Sequence, residues 1–285
     1  MLRSLLRTLR RRVGQSKYQL LKEARARGGT FRQQEELGLL PRSNYAYGML
    51  RAADLARFLG LKAVTACEFG VATGAGLTAM IDHAARLERE TGIRFRIVGF
   101  DTGTGLPRVG GYEDHPELWS AGDFTMVNKE ELTKRVEGRA ELLLGDISDT
   151  VGGFVASLAR EAPLGFVSVD VDIYTATCSA LRCFEGPAEH YLPAVSIYFD
   201  DVSFYFANRW CGELRAIDEF NRDHELRKID VDRGLTRRSI EVPAPWYSRM
   251  YVAHVLDHEL RSRPVERESM TLEDHVKFVQ QFDCR

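Results

Sequence analysis

Five short apolar runs recur along the chain, and a segment of helical periodicity follows each one. The runs are AVTACEF (63–69), RFRIVGF (94–100), AELLLG (140–145), GFVSVD (165–170) and AVSIYFD (194–200). The helical segments are GLTAMIDHAARLERE (76–90), ELTKRVEG (131–138), TVGGFVASLARE (150–161), CSALRCFE (178–185) and WCGELRAIDEFNRD (210–223). Val, Ile, Phe and Tyr in runs this short favour buried strands. Two more strand patterns, LRKIDV (226–231) and RMYVAHVLD (249–257), close the series. Strand and helix in alternation require a parallel sheet covered on both faces. The prediction is an α/β, doubly wound, mostly parallel seven-stranded sheet. Ligands of such sheets sit beyond the carboxyl ends of the strands, so the residues that end each run are the candidates for function.

Residues 44–60 read as a helix that ends at Gly60, and the pattern before it is helical with breaks near 27–30 and at Pro41. This divides the chain into a helical N-terminal extension (1–43), a main domain (44–258) and a C-terminal tail (259–285). The first 22 residues carry seven Lys and Arg before the first acid, Glu23, with Leu2, Leu5, Leu6, Leu9 and Val13 on one helical face. Such a helix can lie on an anionic membrane through residues 1–13, act as a targeting sequence, or dock on the domain or on a second subunit in a homo-oligomer. No apolar run approaches the roughly 20 residues of a membrane span. A formal net charge of −2 gives no basic field for nucleic acid. Five scattered cysteines form no CxxC pair, which disfavours a zinc ribbon or redox dithiol and fits a reducing cytoplasm.

The first strand tip, CEFGVATGAGL (67–77), places glycines at 70, 74 and 76. That spacing is not the G-x-G-x-x-G of a dinucleotide site, so a nicotinamide oxidoreductase is disfavoured. Glu68 just before the glycines suits a positively charged ligand such as S-adenosylmethionine, which has a sulfonium, an ammonium and no phosphate. Gly70 and Gly74 then let the backbone approach that ligand, or serve helix–strand packing alone. Asp101 ends the second strand, where a carboxylate can accept hydrogen bonds from both ribose hydroxyls, or form a turn. Asp146 after the third strand can reach the adenine edge, or the stretch only caps a helix through Ser148 or Asp149.

The fourth and fifth tips pose an electrostatic problem. Asp170 ends one run, and Asp200 and Asp201 end the next. Neighbouring strands bring the three carboxylates close enough to repel and to raise one another's pKa. A hard divalent cation with oxygen ligands, Mg²⁺ or Ca²⁺, resolves this. Otherwise Asp201 caps a helix and Asp200 pairs with an arginine.

These residues resemble the class I S-adenosylmethionine-dependent methyltransferases, in particular the macrocin O-methyltransferase-like family, whose members act on sugar hydroxyls of macrolide antibiotics. EFGVATG is similar to the family's glycine motif, FDTGTGLP to its ribose-binding stretch, GDISDTV to its third segment, DVDIYTAT to its D-x-D-x-Y motif and FDD to its metal-binding pair. The resemblance runs from about 44 to 257. It implies a Rossmann-like fold and a Mg²⁺-dependent O-methyltransferase acting on a small-molecule hydroxyl, such as that of a sugar. On this reading Glu68, Gly70, Gly74, Asp101 and Asp146 bind the cofactor, and Asp170, Asp200 and Asp201 bind the metal. Asp170 or His115 is the base, with Asp172 as a further ligand or a substitute for Asp170. The loop 101–123, with its glycines, Tyr112 and Trp119, is a lid over the acceptor or a packed surface loop. A non-catalytic S-adenosylmethionine-binding scaffold and a membrane-surface protein are the alternatives.

Overall fold

A computed structural model describes residues 19–235, 244–262 and 271–273. The basic stretch 1–13, with the membrane, targeting and docking readings attached to it, lies outside the described residues, as does most of the tail. Among the described residues no helix is long and apolar enough to cross a membrane.

All seven predicted strands form: β1 (Ala63–Phe69), β2 (Arg94–Asp101), β3 (Glu141–Leu144), β4 (Leu164–Val169), β5 (Tyr191–Phe199), β6 (Arg227–Val231) and β7 (Met250–Val255). They make one sheet in the order β3-β2-β1-β4-β5-β7-β6, and β7 runs antiparallel to both of its neighbours. β4 is buried at every position and β1 at all but its first, as strands covered on both faces must be. Phe69, Phe100, Phe166 and Phe199 are fully buried in the sheet. Each contributes about 1.5–3 kcal/mol relative to exposure.

The helices are α1 (19–28), α2 (Phe31–Glu36), α3 (Ser43–Phe58), α4 (Ala75–Thr91), α5 (Lys129–Val136), α6 (Ile147–Ser157), α7 (Tyr174–Leu181), α8 (Gly212–Asp223) and α9 (Glu259–Ser262). α3 packs against α4 and against β1, β4 and β5, while α6, α7 and α8 pack in series. The small residues Ala46, Ala52, Ala53 and Ala56 are buried along α3 and let it lie close to the sheet. Its first turn stands at the carboxyl ends of the strands: the Tyr45 hydroxyl donates to Glu68 Oε1 at 2.7 Å and accepts from Ser168 Oγ at 2.7 Å.

Three boundaries differ from the sequence reading. α6 begins at Ile147, not 150, because Asp146 caps it. α7 begins at Tyr174, four residues before the predicted 178, and ends in a 3₁₀ turn over Arg182–Phe184. β5 begins at Tyr191, upstream of Pro193. The β4–β5 register shifts between Leu164 and Phe166, and an irregularity of this kind is where a strand tolerates proline.

Candidate active site

At the carboxyl ends of β1, β2, β4 and β5 lies a cavity of about 530 Å³, the size of a small-ligand site. Its wall includes Gly70, Asp101, Asp146, Asp170, Asp200 and Asp201, six of the eight residues that the sequence nominates. Asp172 is also on the wall. Glu68 and Gly74 are not.

Gly70 has φ +89°, and a Cβ there would stand 1.7 Å from the Asp170 carbonyl oxygen. Any side chain would therefore push the tips of β1 and β4 apart. The β1 tip is knitted to both neighbours by backbone bonds, Gly70 N to Phe100 O of β2 at 2.9 Å and Asp170 N to Phe69 O at 2.9 Å. Gly74, also left-handed, starts α4 and abuts Leu132 of α5, so its contacts are those of packing. Glu68 departs from its expected place facing the ligand. It is 2% exposed, bonded to Tyr45, and so close to α4 that a Cβ on Gly76 would lie 1.8 Å from its Oε1. Burial, with Asp170 and Asp101 adding to it, pushes its pKa up to about 8.

Asp101 is held by two amides. Ala72 N donates to Oδ2 and Gly103 N to Oδ1, each at 2.7 Å. A carboxylate oxygen with one such bond keeps a lone pair for a further donor, so both oxygens remain able to accept hydroxyls. Ala72 has φ +46°, an uncommon conformation for a residue with a Cβ. The sequence reading missed this residue. Asp146 accepts from Ser148 N at 2.8 Å as the cap of α6, a role the sequence gave to Ser148 or Asp149.

The acids of β4 and β5 converge. One oxygen each from Asp170, Asp200 and Asp201 lies within 4.8 Å of the others. Burial, then Asp200 and Asp201, raise Asp170 to about 7. Burial and the same neighbours raise Asp172 to about 8, and it sits at φ +63°. Burial and Asp200 raise Asp201 to about 6, with Arg249 and His115 opposing. Asp200 does pair with an arginine, since Arg249 Nη1 lies 2.8 Å from Oδ1, and the Tyr198 hydroxyl donates to the same oxygen. The arginine pairing expected for this aspartate is thus present. Asp201 caps no helix; its amide donates to Glu213 Oε2 at 2.7 Å, and its own Oδ2 is buried without a partner. An orphaned carboxylate oxygen inside an all-oxygen cluster fits a hard divalent cation.

Glu213 and Arg249 were not nominated from sequence. Glu213 had one signal, an acid in the first turn of the helix after the FDD pair. Arg249 had none, because its place depends on β7 pairing Met250 against Tyr198. His115 is 3% exposed, bonds Glu117 Oε1 through Nδ1 and faces the Phe204 ring, and it is not on the cavity wall. Its loop is pinned beside α7, because buried Asp114 accepts from Gly110 N and Thr175 N. The loop nonetheless contributes Leu106, Arg108, Trp119 and Phe124 to the cavity wall.

No protein-family model and no curated protein matches this chain. Solved structures do. CalS11, a calicheamicin methyltransferase, aligns with a TM-score of 0.50 at 22% identity, covering 77% of this chain and 82% of its own. NovP, an O-methyltransferase, aligns with a TM-score of 0.45 at 18% identity, covering 61% and 70%. TomG from Streptomyces achromogenes, an O-methyltransferase involved in tomaymycin synthesis, aligns at 0.37 and 16% over 73% and 79%. The CalS11 alignment and the strand order give this chain the class I S-adenosylmethionine-dependent methyltransferase fold.

Proposed function

We propose that the protein is an S-adenosylmethionine-dependent O-methyltransferase that uses Mg²⁺ on Asp170, Asp200 and Asp201 to act on a small-molecule hydroxyl, such as that of a sugar. The observation that carries this reading is the convergence of three carboxylates at the β4 and β5 tips, in the same cavity as Asp101 and Gly70. When bound, S-adenosylmethionine supplies a methyl on a positive sulfur, and Mg²⁺ supplies a Lewis acid for an acceptor oxygen.

The chain's own groups do the rest. Asp101 receives the ribose hydroxyls on oxygens already oriented by two amides. Gly70 lets the β1 and β4 tips close together at the cavity wall. Asp170, Asp200 and Asp201 fix where the acceptor oxygen stands, which supplies most of the advantage of proximity. Asp170 would take the proton that the acceptor hydroxyl loses on methylation. Asp172 lies within the same field. Glu213 holds the Asp201 backbone, and Arg249 and Tyr198 orient Asp200. Trp119 and Phe124, also on the cavity wall, offer apolar faces to an acceptor.

The test is calorimetry with S-adenosylhomocysteine, with NADH as the control, followed by methyl transfer to a panel of sugar and phenolic hydroxyls with Mg²⁺ or EDTA. Binding of S-adenosylhomocysteine together with EDTA-sensitive transfer is the expected outcome. Binding of NADH in its place, or transfer indifferent to EDTA, contradicts the fold-to-function step or the metal role respectively.

A further inference from the structure

The charged groups on the cavity wall are acids with one exception, Arg108 in the loop after β2. Yet the methyl donor of the proposed function ends in a carboxylate as well as an ammonium. On the proposed reading the sheet order says where that carboxylate would lie. Asp101 and Asp146 follow β2 and β3, so the nucleoside half lies over that side. Asp170 and the Asp200–Asp201 pair follow β4 and β5, where the methyl must be delivered. On that reading the amino-acid tail would lie between the two halves, over the β1 and β4 tips.

Another cation stands beside those tips, off the cavity wall. Arg42 immediately precedes α3, whose first turn is fixed there by Tyr45 bonding Glu68 of β1 and Ser168 of β4. The Arg42 side chain lies along the Tyr45 ring, its Cζ 5.5 Å from the centroid. Among the described residues its guanidinium has no carboxylate and no hydrogen-bond acceptor. Its backbone is left-handed, φ 46° and ψ 60°, a conformation that a residue with a Cβ adopts at a cost. Arg42 also draws the pKa of Glu68 downward, which places its charge near the β1 tip.

We infer that Arg42, contributed by the segment outside the sheet, binds the carboxylate of the methyl donor's amino-acid tail. A guanidinium matches a carboxylate with two parallel hydrogen bonds, and the Tyr45 ring holds it in position without neutralising it. The inference rests on reading the cavity as an S-adenosylmethionine site, and it gives the N-terminal extension a part in that site.

The experiment is calorimetry of the full chain and of Arg42→Met and Arg42→Lys. The probes are S-adenosylhomocysteine and its decarboxylated analogue, which keeps the ammonium. Arg42→Met should weaken S-adenosylhomocysteine about 10- to 50-fold, the loss of one charge-assisted pair, and leave the analogue unchanged. Arg42→Lys should fall between the two, because a point charge cannot form the paired bonds. Equal weakening of both probes would assign Arg42 a packing role through Tyr45 and overturn the inference. So would unchanged affinity for S-adenosylhomocysteine in a folded Arg42→Met. If that variant melts below assay temperature, Arg42→Lys against the two probes decides alone, since equal effects on both overturn the inference. Failure of the unaltered chain to bind S-adenosylhomocysteine would remove the site reading itself, and this inference with it.

Discussion

The carboxyl edge of the sheet has two halves that read alike in sequence and differ in charge balance. On the β2 side, each Asp101 oxygen receives a backbone amide, and Asp146 receives another. On the β4–β5 side, Asp170, Asp200 and Asp201 face one another, and Asp201 leaves an oxygen unanswered. The first half is complete within the chain. In the second half the acids are answered by Arg249 on Asp200 and by raised pKa values, and one Asp201 oxygen has no partner. The groups that answer each acid, more than its place at the end of a run, distinguish the two halves.

Changing the second half should have the largest effect. Asp201→Asn removes the charge from the orphaned oxygen and should lower the turnover number about 100-fold or more, the scale of a lost metal contact. S-adenosylhomocysteine affinity should stay within about threefold, since the ligand's hydroxyls are met elsewhere. Steady-state kinetics and calorimetry on one preparation check both. In the first half the pattern should reverse. Asp101→Ala should weaken S-adenosylhomocysteine by about 10- to 100-fold, the loss of charge-assisted bonds, while a metal ion added to the free protein still raises its melting temperature.

The pH dependence is a third distinction. Asp170 and Asp172 are raised by burial, and then by their acidic neighbours, from 3.8 to about 7 and about 8. Between about pH 4 and those values the folded chain keeps protons that the unfolded chain has released. Metal-free stability is therefore full below the unfolded value and falls as pH rises through this window. In EDTA the melting temperature should drop by about 2–5 °C between pH 5 and pH 8, and Mg²⁺ should flatten that slope. Melts at the two pH values, with and without the ion, measure it.

The smallest effect belongs to Glu68. It ends β1 as Asp170 ends β4, but it points into the α3–α4 packing and holds its proton to about pH 8. Glu68→Gln mimics the protonated acid. It should change S-adenosylhomocysteine affinity by less than about twofold at pH 7. A large loss would return Glu68 to the ligand site.

This last residue shows where the sequence was legible and where it stopped being so. The central strands were readable because both faces are buried and their runs are mostly apolar; the edge strands β3 and β6 were readable from β-branched and apolar residues between turn signals. The acids at the β4 and β5 tips were readable because parallel neighbours in a sheet are forced together. Glu68 was misplaced because side chains alternate along a strand, and the face that a given residue takes depends on the helix that covers it. Tyr45 acts across 23 positions to reach Glu68, and Arg249 across 49 to reach Asp200, distances over which periodicity carries no signal. Asp146 was a matter of one turn: three polar residues in GDISD can cap a helix, and backbone geometry selects among them.

The most direct measurement is anomalous diffraction from crystals of the chain grown with S-adenosylhomocysteine and soaked in Mn²⁺, which takes the same oxygen ligands as Mg²⁺. The account predicts one manganese peak in contact with carboxylate oxygens of residues 170, 200 and 201, beside the sulfur of the bound ligand. A fully occupied ligand with no metal peak there, or with a peak held by other residues, would contradict it.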